Sequence, residues 1–351
     1  MTRGLAILCM LTLHLFCKQG SDILGTPLLW INEDTPLVYF FGFFAEICVP
    51  IYTICAGYAR YLMLENGNDK FKNRLTRTFN LLKNYWIVLV LFCALGLIFN
   101  CEIIPESPSA FLKSIFLLHS YNGAWWYLNT YIILLLIPTS LLFFPVQKIK
   151  KPFFSFFLFL SFDVVYYILT RFGIIPDIDK NTSVISFIFV EIFNLISVLS
   201  CFWLGALFCK YNTLDKIKGL LDKYLLEKYH SLFLGGILIF VFIFNSIFRK
   251  AIFIPTIAVV TFVIFNLLKK PIIVEKIFTF LGKHSTNIWL THMFFYENLF
   301  VGLVTLVKYP LLMLLFIVLL CTVTSYVVMA IQTLLNSITN KLKNCLNVKK
   351  V

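Results

Sequence analysis

Residues 3–17 read RGLAILCMLTLHLFC, an apolar segment that carries two side chains able to hold a positive charge, Arg3 and His14. On an α-helix these two side chains point to nearly the same face and lie about 16 Å apart along the axis. This distance is about half of a hydrocarbon core that is roughly 30 Å thick. With Arg3 at one membrane surface, His14 lies near the midplane, where an ionisable group is a candidate for a functional site.

A secretory signal peptide is the alternative interpretation of this segment, because a charged start followed by a short apolar run is typical of one. No small-x-small cleavage site follows, and the rest of the chain is just as apolar. Of the 351 residues, 60% are hydrophobic and 13% are charged, and the mean hydropathy is +0.88. These values exclude an ordinary water-soluble domain and predict a polytopic membrane protein.

Apolar segments recur along the whole chain, and each must form a helix because backbone groups in lipid have to satisfy one another. The fold class predicted is therefore all-α, a bundle of about ten transmembrane helices. The outer loop 101–122 leaves room for an eleventh, short element at 110–118. The ten segments lie at about 4–20, 37–59, 84–100, 123–145, 152–170, 184–208, 230–248, 251–268, 277–300 and 309–336.

The distribution of basic residues predicts the orientation of the bundle. With ten helices, 23 of the 30 Lys and Arg residues fall on the side of the N-terminus and seven on the other side. Basic residues are enriched on the cytoplasmic side of membrane proteins, so both termini are predicted to be cytoplasmic. The chain then divides into one transmembrane domain over residues 1–340 and a basic cytoplasmic tail over 341–351.

The net charge of +13 does not indicate nucleic-acid binding, because the basic residues lie in short loops and no soluble domain presents them together. Such loops predict contact with membrane lipids. The ten Cys lie mostly inside apolar runs and lack the spacing of metal ligands, so no metal site is predicted.

Two arginines follow the second segment at a helical spacing. Arg74 and Arg77 are three residues apart, so that on a helical turn both guanidinium groups face one way. Paired guanidinium groups suit a ligand with several phosphates, because Arg donates bidentately to phosphate oxygens. The alternative is a basic loop that binds anionic lipid headgroups.

Four carboxylates interrupt the apolar segments, and buried carboxylates at such depth need partners. Glu46 is the nearest of them in sequence to the helix of His14 and has a similar depth, so we predict that it pairs with His14 and raises the basicity of the imidazole. A structural ion pair between Glu46 and an Arg is the alternative. The four residues are Glu46, Asp163, Glu191 and Glu297.

Two further groups stand out in the later segments. His292 lies inside the ninth segment, where a histidine either packs through a hydrogen bond or takes part in chemistry. Trp126 and Tyr127 open the fourth segment within an aromatic run, which most simply is an interfacial belt.

Several of these features occur together and in order, and in this the chain resembles the acyltransferase-3 family of integral-membrane O-acyltransferases. Arg3 and His14 match the family's Arg, ten residues, His signature. The other matching stretches are Val49-Pro50-Ile51-Tyr52 with Ala56-Gly57-Tyr58, the Arg74-x-x-Arg77 pair, Trp126-Tyr127-Leu128, and the run from Gly282 to His292.

The resemblance implies transfer of an acyl group, usually acetyl, from cytoplasmic acetyl-CoA to a hydroxyl of a lipid-linked or surface polysaccharide, at the cytoplasmic membrane of a bacterium. In this reaction Arg74 and Arg77 would hold the CoA phosphates, and Arg3 would help to place the pantetheine end or stabilise charge. Glu46 would assist His14 as the partner predicted above from its position. His14 acts either as general base or through a transient acyl-histidine. The residues Trp126, Tyr127 and His292 are predicted to contact the substrate.

A glycan or lipid transporter without covalent chemistry is the competing function, in which the intramembrane charges line a path. The sequence shows no internal repeat of the kind that many transporters carry.

Overall fold

The computed structural model describes residues 1–20, 25–176, 178–179 and 183–348, except for the side chains of 340–348. Its first helices are α1 (Thr2–Phe16), α2 (Leu37–Phe44), α3 (Cys48–Glu65), α4 (Phe71–Ile98), α5 (Pro108–Ile115), α6 (Trp126–Leu136), α7 (Thr139–Leu142) and α8 (Phe144–Lys148). The later helices are α9 (Pro152–Arg171), α10 (Val184–Lys210), α11 (Thr213–Tyr224), α12 (Glu227–Phe248), α13 (Ile254–Leu267), α14 (Ile272–Met293), α15 (Val301–Thr305) and α16 (Pro310–Val348).

The predicted helical membrane bundle is confirmed at the level of its elements, since each of the ten apolar segments contains a helix. Within the described residues, six helices are long and apolar enough to cross a membrane, namely α2 joined to α3, α4, α9, α10, α12 and α16. Three shorter apolar stretches contain α1, α6 and α13, and α14 accounts for the remaining predicted segment. The number of crossings and the side on which the termini lie remain predictions.

The segments that connect the long helices have three features that a simple series of membrane-spanning helices would lack. A small antiparallel hairpin, β1 (Trp30–Asn32) with β2 (Thr35–Pro36), lies between α1 and α2. The loop 101–122 contains α5, so the short element left open at 110–118 begins somewhat earlier. The predicted tail has no separate start, because the backbone of α16 continues through 341–348, while 349–351 lie outside the described residues.

Helix α1 lies inside the bundle, with α14, α2 and α3 packed around it. Close approach depends on glycine, because a Cβ atom on Gly4 would overlap the carbonyl oxygen of Phe278 in α14. The crossing of α3 and α10 is just as close, since a Cβ atom on Gly57 would overlap the carbonyl oxygen of Phe202. By contrast, only a small part of α9 and of α12 is buried, and their large apolar side chains point outward, as lipid contact requires.

Two local irregularities shape the centre of the bundle. A 3-10 turn at Ala45–Ile47 joins α2 to α3. Pro50 explains it, because its ring has no N–H to donate to the carbonyl of Glu46, four residues earlier, and would clash with that carbonyl. A π-helical turn at Phe294–Asn298 ends α14, where the N–H of Leu299 donates to the carbonyl of Phe294 at 3.0 Å. Turns of this kind are rare and often lie at functional sites.

Candidate active site

A cavity of about 380 Å³ opens between α1, α3, α6 and α14, a size within the range of ligand-binding pockets. Most of its wall is apolar or aromatic, and its polar groups include the hydroxyls of Thr53, Ser285 and Thr286. A few polar groups in an apolar wall are what a site needs to orient a substrate that it also shields from water.

Arg3 and His14 both line this cavity. Arg3 is exposed at the start of α1, whereas His14 is half-buried near the end of the same helix. Both side chains lie on one face of α1, about 16 Å apart along its axis, and the cavity reaches from the exposed Arg3 to the half-buried His14. The geometry that the sequence predicted for this pair is present in the structure, and α14 holds it in place through the close contact at Gly4.

The partners of His14 differ from the expectation. Glu46 lines the same cavity, but among the described residues the side chain hydrogen-bonded to His14 is that of Tyr296, whose hydroxyl oxygen lies 3.3 Å from Nδ1. The same hydroxyl donates to Oε2 of Glu297 at 3.3 Å. Sequence reasoning noted Glu297 and missed Tyr296. A signal was available, since Tyr296 lies one helical turn after His292.

His292 packs directly against His14, with ring centroids 5.0 Å apart. It is fully buried, and its Nδ1 lies 2.8 Å from the carbonyl oxygen of Trp289. His292 is absent from the cavity wall, which takes Trp289 instead. The structure thus brings His292 to the site but places it behind the residue that a substrate would meet.

Trp126 and Tyr127 both line the cavity, Trp126 half-buried and Tyr127 buried. The hydroxyls of Tyr127 and Thr53 lie 2.9 Å apart, which ties α6 to α3. The start of α6 is fixed to α14 by the indole N–H of Trp289, which donates to the carbonyl of Ala124 at 3.1 Å. This aromatic run is therefore a wall of the cavity, in contrast to the exposed interfacial belt that composition suggested.

Arg74 and Arg77 lie in the first turns of α4, outside the cavity wall. The Arg74 guanidinium is buried and donates to the carbonyl oxygen of Ile137 at the end of α6. Arg60 of α3 also donates to Ile137, at 2.8 Å, and pairs with Asp69 at 3.2 Å. Arg77 is half-buried, and it lies one turn before the cavity-lining Leu81 on α4.

This arrangement suits acyl transfer between two bound substrates. An imidazole nitrogen in a shielded cavity is a general base for a hydroxyl group, and an arginine at the open end suits an anionic donor. No group of three His, Cys, Asp or Glu side chains within the described ranges is placed to hold a metal ion.

The comparison with known families agrees with this site. The family model described as "Acyltransferase domain", that of the acyltransferase-3 family, matches residues 1–331, which contain every residue of the site. No match was found among curated proteins or among solved structures. The family assignment favours an enzyme over the competing transporter. Since the match covers nearly the whole chain and the helices form a membrane bundle, the chain belongs to the acyltransferase-3 family and is a multi-pass membrane acyltransferase.

Proposed function

We propose that this acyltransferase moves an acetyl group from acetyl-CoA to a sugar hydroxyl of a lipid-linked or exported polysaccharide, in the cytoplasmic membrane of a bacterium. One observation carries the proposal: Arg3 and His14 line a single cavity although they lie about 16 Å apart along α1. A narrow thioester arm entering beside Arg3 would bring its carbonyl carbon to His14 in a fixed orientation, and such positioning lowers the barrier of a two-substrate reaction.

The donor would bind with only its acyl and pantetheine part inside, because a cavity of about 380 Å³ is too small for the nucleotide as well. The phosphates then lie at the open end, where Arg3 is exposed. Arg77 projects from the α4 face that reaches the cavity at Leu81, so we assign it to the phosphates together with Arg3. Arg74 would first have to exchange its bond to Ile137, and we assign it mainly to holding α6.

The chemical step assigned to His14 is general-base catalysis. Its ring nitrogen takes the proton of the acceptor hydroxyl while that oxygen attacks the thioester carbonyl carbon. The new C–O bond forms, the C–S bond breaks, and the imidazolium returns the proton to the sulfur of CoA. Glu46, which lines the same cavity, would stabilise the transient positive charge on His14.

The acceptor sugar would lie between the aromatic wall and His14. Trp126 and Tyr127 present ring surfaces to the cavity, and flat apolar rings with polar edges suit the faces and hydroxyls of a sugar. His292 would support this arrangement from behind by packing against His14.

The test incubates the purified protein with acetyl-CoA that is radiolabelled in the acetyl group and with a panel of cell-envelope glycans, and measures both labelled glycan and released CoA thiol. His14→Ala should lower the rate by about 10²- to 10⁴-fold. His230→Ala is the matched control, because His230 lies at the start of α12 and bonds the carbonyl of Leu225. Glycan labelling that survives in His14→Ala would overturn the assignment.

The same assay separates direct transfer from a covalent intermediate. Without an acceptor, direct transfer leaves no label on the protein after denaturation, whereas an acyl-histidine would leave label that disappears in His14→Ala. We propose direct transfer, and His14-dependent label on the denatured protein would contradict it.

A further inference from the structure

The Tyr296 hydroxyl occupies a position between an imidazole and a carboxylate. Its oxygen lies 3.3 Å from Nδ1 of His14 and 3.3 Å from Oε2 of Glu297. Both distances are long for hydrogen bonds, as is common at catalytic sites before the substrate binds. Tyr296 is buried, whereas Glu297 is exposed at the end of the bundle away from Arg3.

The π-helical turn brings these groups together. Tyr296 and Glu297 are neighbours in the turn Phe294–Asn298, and the Tyr296 ring stacks on that of His292, with an interplanar angle of 17°. The phenol ring is buried and packs beside both imidazoles, so its hydroxyl has a defined position next to His14. A rare backbone turn at this point indicates a functional use of the two side chains.

We propose that Glu297 and Tyr296 orient His14 and select its tautomer, as positioning residues for the transfer reaction proposed above. An ionised carboxylate only accepts hydrogen bonds, so the Tyr296 proton goes to Glu297. The Tyr296 oxygen then accepts the Nδ1 proton of His14. A neutral imidazole has one ring proton, and Nε2 is therefore left with the lone pair that a general base needs.

The other groups near His14 are less suited to this task. His292 touches the ring of His14 but directs its Nδ1 to the Trp289 carbonyl. The ammonium group of Lys18 cannot accept a hydrogen bond from His14, and its Nζ lies 5.7 Å from the centre of the Tyr296 ring. Glu46 lines the cavity that the substrate would fill. Tyr296 is therefore the residue that bonds Nδ1 of the His14 imidazole.

The kinetic test uses Tyr296→Phe, Glu297→Gln and the double variant. Tyr296→Phe keeps the ring stack and removes only the hydroxyl. Each single variant should lower kcat by about 10- to 100-fold, which is part of the rate enhancement that a general base supplies. The KM for acetyl-CoA should stay unchanged. The double variant should be no slower than the slower single variant, since residues that act as a unit are not additive. The matched control is Tyr166→Phe on peripheral α9, which removes a hydroxyl that donates to the Phe193 carbonyl of α10.

A second readout does not depend on activity. In protein labelled with ¹⁵N-histidine, the His14 signal is identified by its loss in His14→Gln, and its ¹⁵N shifts report which nitrogen holds the proton. We expect Nδ1–H in the parent protein and a mixture of tautomers in Tyr296→Phe. A proton on Nε2 in the parent, or unchanged kcat in folded Tyr296→Phe, would overturn the proposal. A parent protein without transferase activity but with the expected tautomer would overturn the proposed function alone.

Discussion

The imidazole rings of His14 and His292 pack against each other, with centroids 5.0 Å apart and planes inclined by 40°. Their surroundings are different. His14 lines the cavity, whereas His292 is fully buried and has its Nδ1 2.8 Å from the Trp289 carbonyl. The pair therefore contains one ring that a substrate can reach and one that supports it from behind.

We predict that glutamine replacements at these two positions have very different effects. His14→Gln removes the proton acceptor and should lower kcat by about 10²- to 10⁴-fold. His292→Gln keeps a hydrogen-bonding group and should cost less than about tenfold, because the bond at stake is one within α14 to the Trp289 carbonyl and a hydrogen bond contributes about 0.5 to 1.5 kcal/mol. The measurement is kcat at matched amounts of folded protein. Equal inactivity of the two variants would mean that His292 takes part in the chemistry.

The crossing of α3 and α10 should be sensitive to a single methyl group. A Cβ atom at Gly57 would overlap the Phe202 carbonyl oxygen, which belongs to the backbone and has little freedom to move. We expect Gly57→Ala to lower the free energy of unfolding by about 1 to 3 kcal/mol, as overpacking usually does. Thermal unfolding in detergent, followed by tryptophan fluorescence, measures this loss.

The control for that substitution is Gly236→Ala in α12. No heavy atom lies within 4 Å of a Cβ atom built at Gly236, and alanine favours a helix more than glycine does. Gly236→Ala should therefore unfold at the same or a slightly higher temperature. A similar loss in both variants would show that the effect at Gly57 comes from something other than the helix crossing.

Much of this architecture could be predicted from hydropathy, because lipid allows only helices and the apolar runs mark them. The placement of Arg3 and His14 on one face could also be predicted from the sequence, because the geometry of a single helix is fixed. The partner of Arg74 could not be predicted, because the Ile137 acceptor is a backbone carbonyl, which any residue carries. Tyr296 follows His292 by one helical turn, which was a signal, but its exact position beside His14 depends on a π-helical turn that the apolar pattern does not distinguish from an α-helix.

The orientation of the bundle is a separate prediction. The excess of Lys and Arg on one side indicates that residue 1 and the end of α16 both face the cytoplasm. Fusions of a reporter that is active only in the cytoplasm should be active at both termini, and inactive when inserted after Asn32 in the β1–β2 hairpin. Activity at one terminus only would require an odd number of crossings.

The last prediction separates the two arginines of α4. Arg77→Ala should raise the KM for acetyl-CoA by about 10- to 100-fold, because a hydrogen bond to a charged group contributes about 1.5 to 3 kcal/mol. High salt should reproduce part of this effect. Arg74→Ala should instead lower the unfolding temperature, since α4 loses its buried bond to the Ile137 carbonyl, which keeps Arg60 as a donor. Arg171→Ala, at the exposed end of α9, controls for the loss of one positive charge. If Arg74→Ala raises KM as much as Arg77→Ala and unfolds normally, both arginines bind the phosphates and the bond to Ile137 must open when acetyl-CoA binds.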